Sequence, residues 1–405
     1  MHKALALIDT FVKKHNIEHL YIAYSGGIDS TALLHLSSQF KKEIQVHAIH
    51  IHHGLSSNAG NWLKSCQTQA GSLDVYFIAH KLLPPKKLSN IENWARSERY
   101  AFFEQVMLKT PNSLLLTGHH IEDQAETFLL QALRGSGLKG LAAIAERKTF
   151  ANGFLLRPFL HLDKNKLINY AHDHNLTWIE DESNQCTNFR RNAIRHNVMP
   201  KLRETNPQAD ITLARSAQLC AEADLLLNEL LTPQLKKIAT DNQLNLVKLK
   251  SYSILQQKHL LKIWLTKHKI YPSQVQFLQI YAGTQSMQSN WQYALSENYL
   301  SIGSACLVIE TTKSPTILIV SEIDILNWLN ERLQTAFMLE DLIIRPRQAG
   351  ERCRPIYRHK RQSLKVIFQE QGIKFKDRAG ARIITLTIDP NKIIAIYPFF
   401  ICHAN

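Results

Sequence analysis

Through its first half the chain alternates short apolar runs with helical patterns, and this restricts the fold more than any other feature. Candidate strands cover residues 19–24, 44–51, 75–79, 113–117 and 154–156, all rich in β-branched, aromatic or leucine residues. Helical patterns fill the intervals. Alternation at this spacing predicts an α/β fold, a parallel sheet with helices on both faces. Ligands of such sheets bind beyond the carboxyl ends of the strands. Three polar stretches, SGG at 25–27, HIHHGLS at 50–56 and LTGHHIEDQAET at 116–127, are therefore expected on one rim.

Residues 21–36 read YIAYSGGIDSTALLHL. A strand enters Ser25-Gly26-Gly27-Ile28, and a helix is predicted over 29–40 with Ala32, Leu33, Leu36 and Phe40 on one stripe. Glycines admit positive φ and let a ligand approach bare backbone. The helix aims its first free N–H groups and positive dipole end at the same spot. That arrangement suits phosphate, and Ser25, Ser30 and Thr31 add hydroxyls. Asp29 would repel phosphate directly, so it serves through a Mg²⁺ ion or as the helix N-cap. The plain structural alternative is a tight turn capped by Asp29 with no ligand. The Gly-Lys-Ser/Thr of the common P-loop is absent, as is the three-glycine dinucleotide pattern.

The other rim stretches each allow two readings. His50 and His52 share a strand face, but no carboxylate or thiolate lies near them in sequence to complete a metal site. His50, His53 and Gly54 read better as a polar strand end beside a nucleotide. Asp123 and Glu126 sit one turn apart at a helix start, and His119 and Asp123 are four apart. They either complement the helix dipole or, opposite a nucleotide loop, take a metal ion or a proton from an amine. Arg134 in RGSG places a cation beside flexible backbone, suited to phosphate or RNA. Arg96 and Arg99 lie one helical turn apart in ENWARSERY. Arg191 and Arg195 share a face of RRNAIRHNVMP, next to the acidic EDES. They form a salt-bridged surface or grip RNA phosphate while the acids hold a cationic substrate.

A chain of 405 residues exceeds one core and predicts two or three domains. After Pro207 the pattern is mostly helical to about residue 281, then β-like. Residues 311–316 read as a linker, and the last part mixes strand-like runs with one basic helix. No repeat or low-complexity segment appears. No apolar run is long enough to span a bilayer, and the amphipathic start has no signal-peptide core, so a cytoplasmic protein is expected. Six cysteines without a C-x-x-C pair predict reduced, mostly buried thiols. The net charge of +14 favours a polyanionic partner. Between residues 345 and 382, twelve Lys/Arg face three acids, Glu351, Glu370 and Asp377. Such density is more than a solvated face requires.

Residues 25–30 resemble, at every fixed position, the SGGxDS loop of the PP-loop ATP pyrophosphatases. Those enzymes grip the pyrophosphate end of ATP and attach AMP to a substrate oxygen. The ordered set YSGGIDS, HIHHGLS, ARSERY, TGHHIEDQAETFLLQALRGSG, RPF, IEDESN and RRNAIR is similar, more narrowly, to bacterial tRNA(Ile)-lysidine synthetases. It covers residues 20 to about 200, and the helical middle and basic C-terminal part fit the longer form of that family. Trp94 stands where the helix motif usually has a small residue, and no glycine precedes the basic helix.

The resemblance implies an adenine nucleotide alpha hydrolase-like, Rossmann-like PP-loop domain over 1–206. It also implies a mostly helical tRNA-binding domain over 207–310 and a small α+β tRNA-binding domain over 317–405. It implies ATP and Mg²⁺, free L-lysine, and an isoleucine tRNA with a CAU anticodon, and leaves a homodimer open. ATP activates the C2 oxygen of the wobble cytidine, and the lysine ε-amine then displaces AMP. By resemblance Ser25, Gly26, Gly27, Ile28, Asp29, Ser30, His50 and Gly118 bind ATP. Asp29, Asp123, Glu126 and Arg195 are catalytic, with Asp29 and Asp123 on the metal. Arg96, Arg99, Arg134, Arg191, Arg352, Arg354, Arg358, Lys360 and Arg361 hold tRNA. One rival is a PP-loop tRNA thiolase, whose usual paired cysteines are missing. Another is a non-catalytic tRNA-binding protein with a relic loop, for which Asp29 would be dispensable.

Overall fold

A computed structural model describes residues 1–52, 54, 58–83, 91–180, 190–288, 291–295, 298–311, 321–348, 350–371, 373, 378 and 381–403. They form two compact units, Met1–Leu227 and Asn228–Asn405.

The first unit runs α1 (His2–His15), β1 (His19–Ala23), α2 (Ile28–Ser37), β2 (Gln45–His52), α3 (Ala59–Ser72), β3 (Tyr76–Lys81), α4 (Ile91–Leu108) and β4 (Ser113–Leu116). It continues with α5 (Ile121–Leu133), α6 (Leu138–Leu141), β5 (Arg147–Phe150), β6 (Gly153–Leu156) and α7 (Lys164–Asp173). After α8 (Arg190–Ala193) and a π turn over Ile194–Val198 come α9 (Met199–Thr205) and α10 (Ala209–Ile238), which crosses the unit boundary. Six strands form one sheet in the order β3-β2-β1-β4-β6-β5. All neighbours are parallel except the β5–β6 edge pair. All four residues of β4 are buried, as a central strand covered on both faces requires. One core joins α1, α2, α3 and α7 to one face of the sheet through residues such as Ile8, Leu33, Cys66 and Leu167. A second packs Phe103 and Met107 of α4 on Tyr21, Ile49, Leu115 and Leu155. Trp94 joins this second core as a partly buried neighbour.

The predicted parallel sheet is present, with β3 starting one residue and ending two residues later than expected. The antiparallel edge strand β5 was not anticipated. Its four residues are charged or exposed except for Phe150 and leave no apolar alternation to read.

The second unit holds β7 (Gln243–Asn245), α11 (Leu246–Lys250), α12 (Ile254–Lys267), α13 (Gln274–Ser286), β8 (Gln292–Ala294), β9 (Asn298–Gly303) and β10 (Cys306–Thr311). The strands form an antiparallel sheet, β7-β10-β9-β8, whose Leu300, Ile302 and Leu307 pack with Leu260, Leu261 and Trp264 of α12. Then come α14 (Glu322–Leu333), β11 (Leu342–Pro346), β12 (Arg352–Cys353), β13 (Gln362–Ser363), α15 (Leu364–Glu370), β14 (Arg382–Leu386), β15 (Asp389–Tyr397) and β16 (Phe400–Ile401). Strands β11-β14-β15-β16 form a second antiparallel sheet. The expected basic helix is short: Gln362 and Ser363 pair with β12, and α15 starts only at Leu364. Among the described residues no helix is long and apolar enough to cross a membrane.

Candidate active site

Strand β1 delivers the chain into Tyr24–Gly27 at the carboxyl rim of the sheet. The backbone N–H of Tyr24 still donates to Ile49 O on β2 (2.8 Å). At Gly26 the backbone turns to φ +86°. A Cβ there would lie 2.5 Å from Ile179 Cδ1 and 2.7 Å from Cys66 Sγ, so only glycine fits. The Gly26 carbonyl accepts from Ile179 N (2.9 Å) and Thr31 Oγ1 (3.1 Å). Ser30 Oγ donates to Gly27 O (2.9 Å) and accepts from Ser25 N (3.2 Å), while Ser25 Oγ lies 3.1 Å away. The loop is thus held from behind, and the first turn of α2 opens on the rim.

Gly27, extended at φ −71°, is the N-cap of α2, with no side-chain cap bond. The alternative in which Asp29 caps the helix is therefore corrected. Asp29 lies inside the first turn, and its Oδ1 is buried without a hydrogen-bond partner. Gly118, after β4, backs directly onto it: a Cβ on Gly118 would sit 3.1 Å from the Asp29 carbonyl carbon and oxygen. Burial raises the Asp29 carboxyl above its ordinary range, opposed by the charges of His120, Lys164 and Arg195.

Beyond Gly118, α5 starts at Ile121 with His120 as its N-cap. Asp123 Oδ2 accepts from the His120 backbone N–H (3.0 Å) in a capping box. The His120 ring is 2% exposed, and its Nε2 lies 3.7 Å from Asp29 Oδ2 and 3.6 Å from Asp123 Oδ2. One imidazole thus stands between the carboxylates at the starts of α2 and α5, the helices that follow the adjacent strands β1 and β4. His120, not the His119 that stands four residues before Asp123, makes this contact. The signal for His120 was its place before the helical pattern, where capping side chains stand. His119 packs beside Thr117, Nδ1 to Oγ1 2.8 Å, and burial pushes its pKa well down, helped by Arg157, Arg191 and Arg96.

Asp123 and Glu126 face two arginines. Arg191 donates through Nη2 to Asp123 Oδ1 (2.7 Å) and through Nε to Glu126 Oε2 (2.9 Å). Arg195 donates through Nε to Glu126 Oε1 (2.6 Å) and through Nη2 to Glu126 Oε2 (3.0 Å). The Glu126 side chain is 1% exposed. Packing of Ala125 with Ile194 and Met199 sets α5 against the α8–α9 segment and fixes this geometry. Burial pushes Asp123 up, but His120, Arg191, His119 and the His120 amide outweigh it and hold it well below the usual carboxylate range. Burial lowers Arg195, but its bond to Glu126 and the nearby acids outweigh that and raise it. Arg191 and Arg195 of RRNAIRHNVMP pair with Asp123 and Glu126, while residues 181–183 of the neighbouring EDES stretch lie outside the described residues. Both guanidiniums are engaged with acids rather than presented free to RNA or triphosphate.

His50 is 5% exposed, and its Nδ1 lies 3.0 Å from Tyr24 O, behind the loop. Gly54 takes φ +70° beyond β2, and His53 lies outside the described residues. Arg96 and Arg99 lie on α4 against Tyr100, and Arg134 is exposed at the end of α5. In the second unit, Arg352, Lys360 and Arg361 are exposed, while Arg354 and Arg358 are half-buried. Arg358 is engaged with Gln362 and Glu370.

A Mg²⁺ ion binds through one or two carboxylates together with substrate phosphates and water. Asp29, with one unpartnered oxygen at the Ser25–Ser30 turn, fits that donor set. Both oxygens of Asp123 already have donors. Among the described residues no group of three or more His, Cys, Asp or Glu is arranged to hold a metal by itself.

Comparison with known proteins agrees with this geometry. Residues 2–202 match the PP-loop domain family, and residues 342–404 match the TilS substrate C-terminal domain. A tRNA(Ile)-lysidine synthase of Francisella philomiragia is 38% identical over 96% of this chain and 97% of its own. One from Coxiella burnetii is 33% identical over 99% of this chain and 92% of its own. Among solved structures, a U34-tRNA thiolase of Methanococcus maripaludis is similar at 15% identity and a TM-score of 0.45, over 51% of this chain and 72% of that one. Relatives that match over nearly their whole length, with an intact Ser25–Ser30 loop, make this chain a member of the tRNA(Ile)-lysidine synthase family, built on an ATP-using PP-loop domain.

Proposed function

We propose that the protein ligates free L-lysine to C2 of the wobble cytidine in the CAU anticodon of an isoleucine tRNA. The reaction passes through an adenylated cytidine, forms lysidine and releases pyrophosphate and AMP. The modified base pairs with A instead of G, so the codon read changes from AUG to AUA and the identity from methionine to isoleucine. The observation that carries this reading is the meeting of Asp29 and Asp123 across His120. It supports the reading because it brings the Ser25–Ser30 turn and the carboxylates of α5 close together, where one could take phosphates and the other an amine.

The chemistry follows from the groups present. An amide-like oxygen leaves poorly, so the C2 oxygen first attacks the α-phosphorus of ATP and pyrophosphate departs. Backbone N–H groups of Gly27 and Ile28, with the Ser25 and Ser30 hydroxyls, receive the pyrophosphate end. When bound through Asp29 and the phosphates, Mg²⁺ neutralises charge that builds on the departing group. His50 and Gly118 shape the loop from behind and below.

Free lysine carries a carboxylate and two ammonium groups, with a side-chain pKa near 10.4. The two-acid, two-guanidinium cluster matches it: the ammonium exchanges onto Asp123 and Glu126, the carboxylate onto Arg191 or Arg195. Asp123, held anionic, orients the ε-ammonium rather than deprotonating it at rest. The ε-ammonium first gives up one proton to bulk water to free its lone pair, the amine then attacks C2, and the second proton passes to the Asp123 carboxylate as the C–N bond forms and AMP leaves. The target base must be splayed from the anticodon stack, as in single-stranded RNA recognition generally. On this reading residues 1–206 do the chemistry, while 207–310 and 317–405 grip the tRNA body.

The test is an incubation of the protein with Mg²⁺, ATP, radiolabelled lysine and an unmodified CAU isoleucine tRNA, with Asp29→Ala as control. Label in the tRNA matched by AMP, and lost in the variant, is the expected result. AMP release without lysine transfer would point to another nucleophile, sulfur first. Neither signal with tRNA binding retained would favour a binding protein.

A further inference from the structure

The arginines at Asp123 are ion-paired, whereas a second cationic cluster on the same rim has no ion pair among the described residues. Arg96 and Arg99 on α4 place their guanidinium carbons 5.1 and 5.7 Å from the Tyr100 ring centre. Lys148 on β5 sits 5.6 Å from that centre and 5.3 Å from the Phe150 ring. Arg157, the residue after β6 and the first of the RPF motif, is 5% exposed. It donates to Ala145 O and is hydrogen-bonded to Tyr100, while its Nε is buried without a partner. None of these four cations forms an ion pair among the described residues.

Four like charges around one half-buried ring repel one another, and the surroundings record it. Burial lowers Arg99, Lys148 and Arg157, and neighbouring cations lower them further; Tyr100, with Glu104 at Lys148, opposes. Burial pushes the Tyr100 phenol up, but Arg96, Arg157 and Arg99 outweigh it and bring it down. Among the described residues folding assembles this positive potential with no ion pair to neutralise it and only Glu104 acting on Lys148, which is the electrostatic form of an anion site.

Its position narrows the anion. Lys148 pairs in register with Leu155, so β5 brings it to the carboxyl end of β6. The sheet order puts β4 between β1 and β6. At about 4.8 Å per strand, the cluster lies roughly 10 Å along the rim from the Ser25–Ser30 loop. The loop after β4, with His119, His120 and Asp123, stands between them.

We propose that Arg96, Arg99, Lys148 and Arg157 form a second anion site that takes a backbone phosphodiester of the RNA next to the reacting nucleotide. The ATP phosphates stay at the glycine loop, and the base to be modified lies between the two anions, at Asp123. The site rests on the tRNA-ligase reading for its substrate and adds Lys148, Arg157 and Tyr100 to the residues that position it.

The test uses the full-length protein and an anticodon stem-loop RNA with a CAU loop. Lys148→Met and Arg96→Met change exposed side chains, so folding is retained and is checked by circular dichroism. Each variant is expected to weaken RNA binding several-fold. Each is also expected to flatten the slope of log K against log salt by about 0.7, the loss of one single-strand phosphate contact. The KM values for ATP and for lysine stay where they are. An unchanged slope in both variants overturns the proposal. So does a raised KM for ATP or lysine at unchanged slope, which would assign the cluster to the triphosphate or the amino-acid carboxylate. A wild-type protein that binds neither this stem-loop nor the full CAU isoleucine tRNA overturns both readings. One that binds with the predicted slope changes but transfers no lysine keeps the anion site and loses the ligation.

Discussion

Two residues carry the site's geometry, and each makes a measurable claim. Gly26 sits at φ +86° with Ile179 and Cys66 against the face where a Cβ would project. Gly26→Ala combines a left-handed penalty of about 1–2 kcal/mol with a clash against packed atoms. It is expected to raise the ATP KM at least tenfold and lower the first thermal transition; unchanged values of both would refute the close approach. Glu126 is buried with two guanidiniums on it. Its removal leaves them without their counter-charge, so Glu126→Leu should destabilise by about 3 kcal/mol. The double variant Glu126→Leu/Arg195→Leu should cost clearly less than the sum of the two singles. Additive costs in a double-mutant cycle would show that the pair does not act as a unit.

At the scale of elements, the sheet carries a ladder of rings: His47 on β2 stacks on Tyr21 of β1 at 4.8 Å and on Tyr76 of β3 at 5.1 Å. Burial, then the neighbouring His19, pushes the His47 pKa down to about 4. A histidine with a depressed folded pKa is protonated first in the unfolded chain. Its stability is therefore present above about pH 6.5 and lost as pH falls toward 4. The loss is on the order of 2 kcal/mol once partial exposure is allowed for. His47→Phe should raise the thermal transition more at pH 5 than at pH 8, and equal gains at both would contradict the account. The same elements show what a sequence can reveal. The strand–turn–helix at residues 19–37 is legible because period, glycines and apolar stripe agree. Asp123 and Glu126 are legible as a pair because helical spacing is fixed. Their engagement with Arg191 and Arg195 is not, since those arginines come from a helix some 65 residues away whose docking depends on Ile194 and Met199. The cations around Tyr100 come from α4, β5 and the end of β6, and β5 has no apolar alternation to announce it.

At the scale of the whole molecule, charge is the organising quantity. The excess of +14 is concentrated partly in the C-terminal segment, where Arg345 pairs with Glu351 and Arg358 with Glu370. Those two arginines are internal struts, whereas Arg352, Lys360 and Arg361 are exposed. Neutralising Arg352, Lys360 and Arg361 together should flatten the salt dependence of tRNA binding by about 2–3 in log–log slope. It should also reduce discrimination against an elongator methionine tRNA with the same CAU loop, while ATP binding stays. Unchanged discrimination would remove the C-terminal segment from substrate choice.

The central claim is that ATP activates the RNA base and not the amino acid. The most direct measurement follows pyrophosphate in a single turnover with ATP, Mg²⁺ and tRNA but without lysine. The account predicts pyrophosphate release that requires tRNA, with AMP retained on the RNA until lysine is added. Pyrophosphate release that requires lysine and proceeds without tRNA would contradict it, because the adenylated species would then be the amino acid.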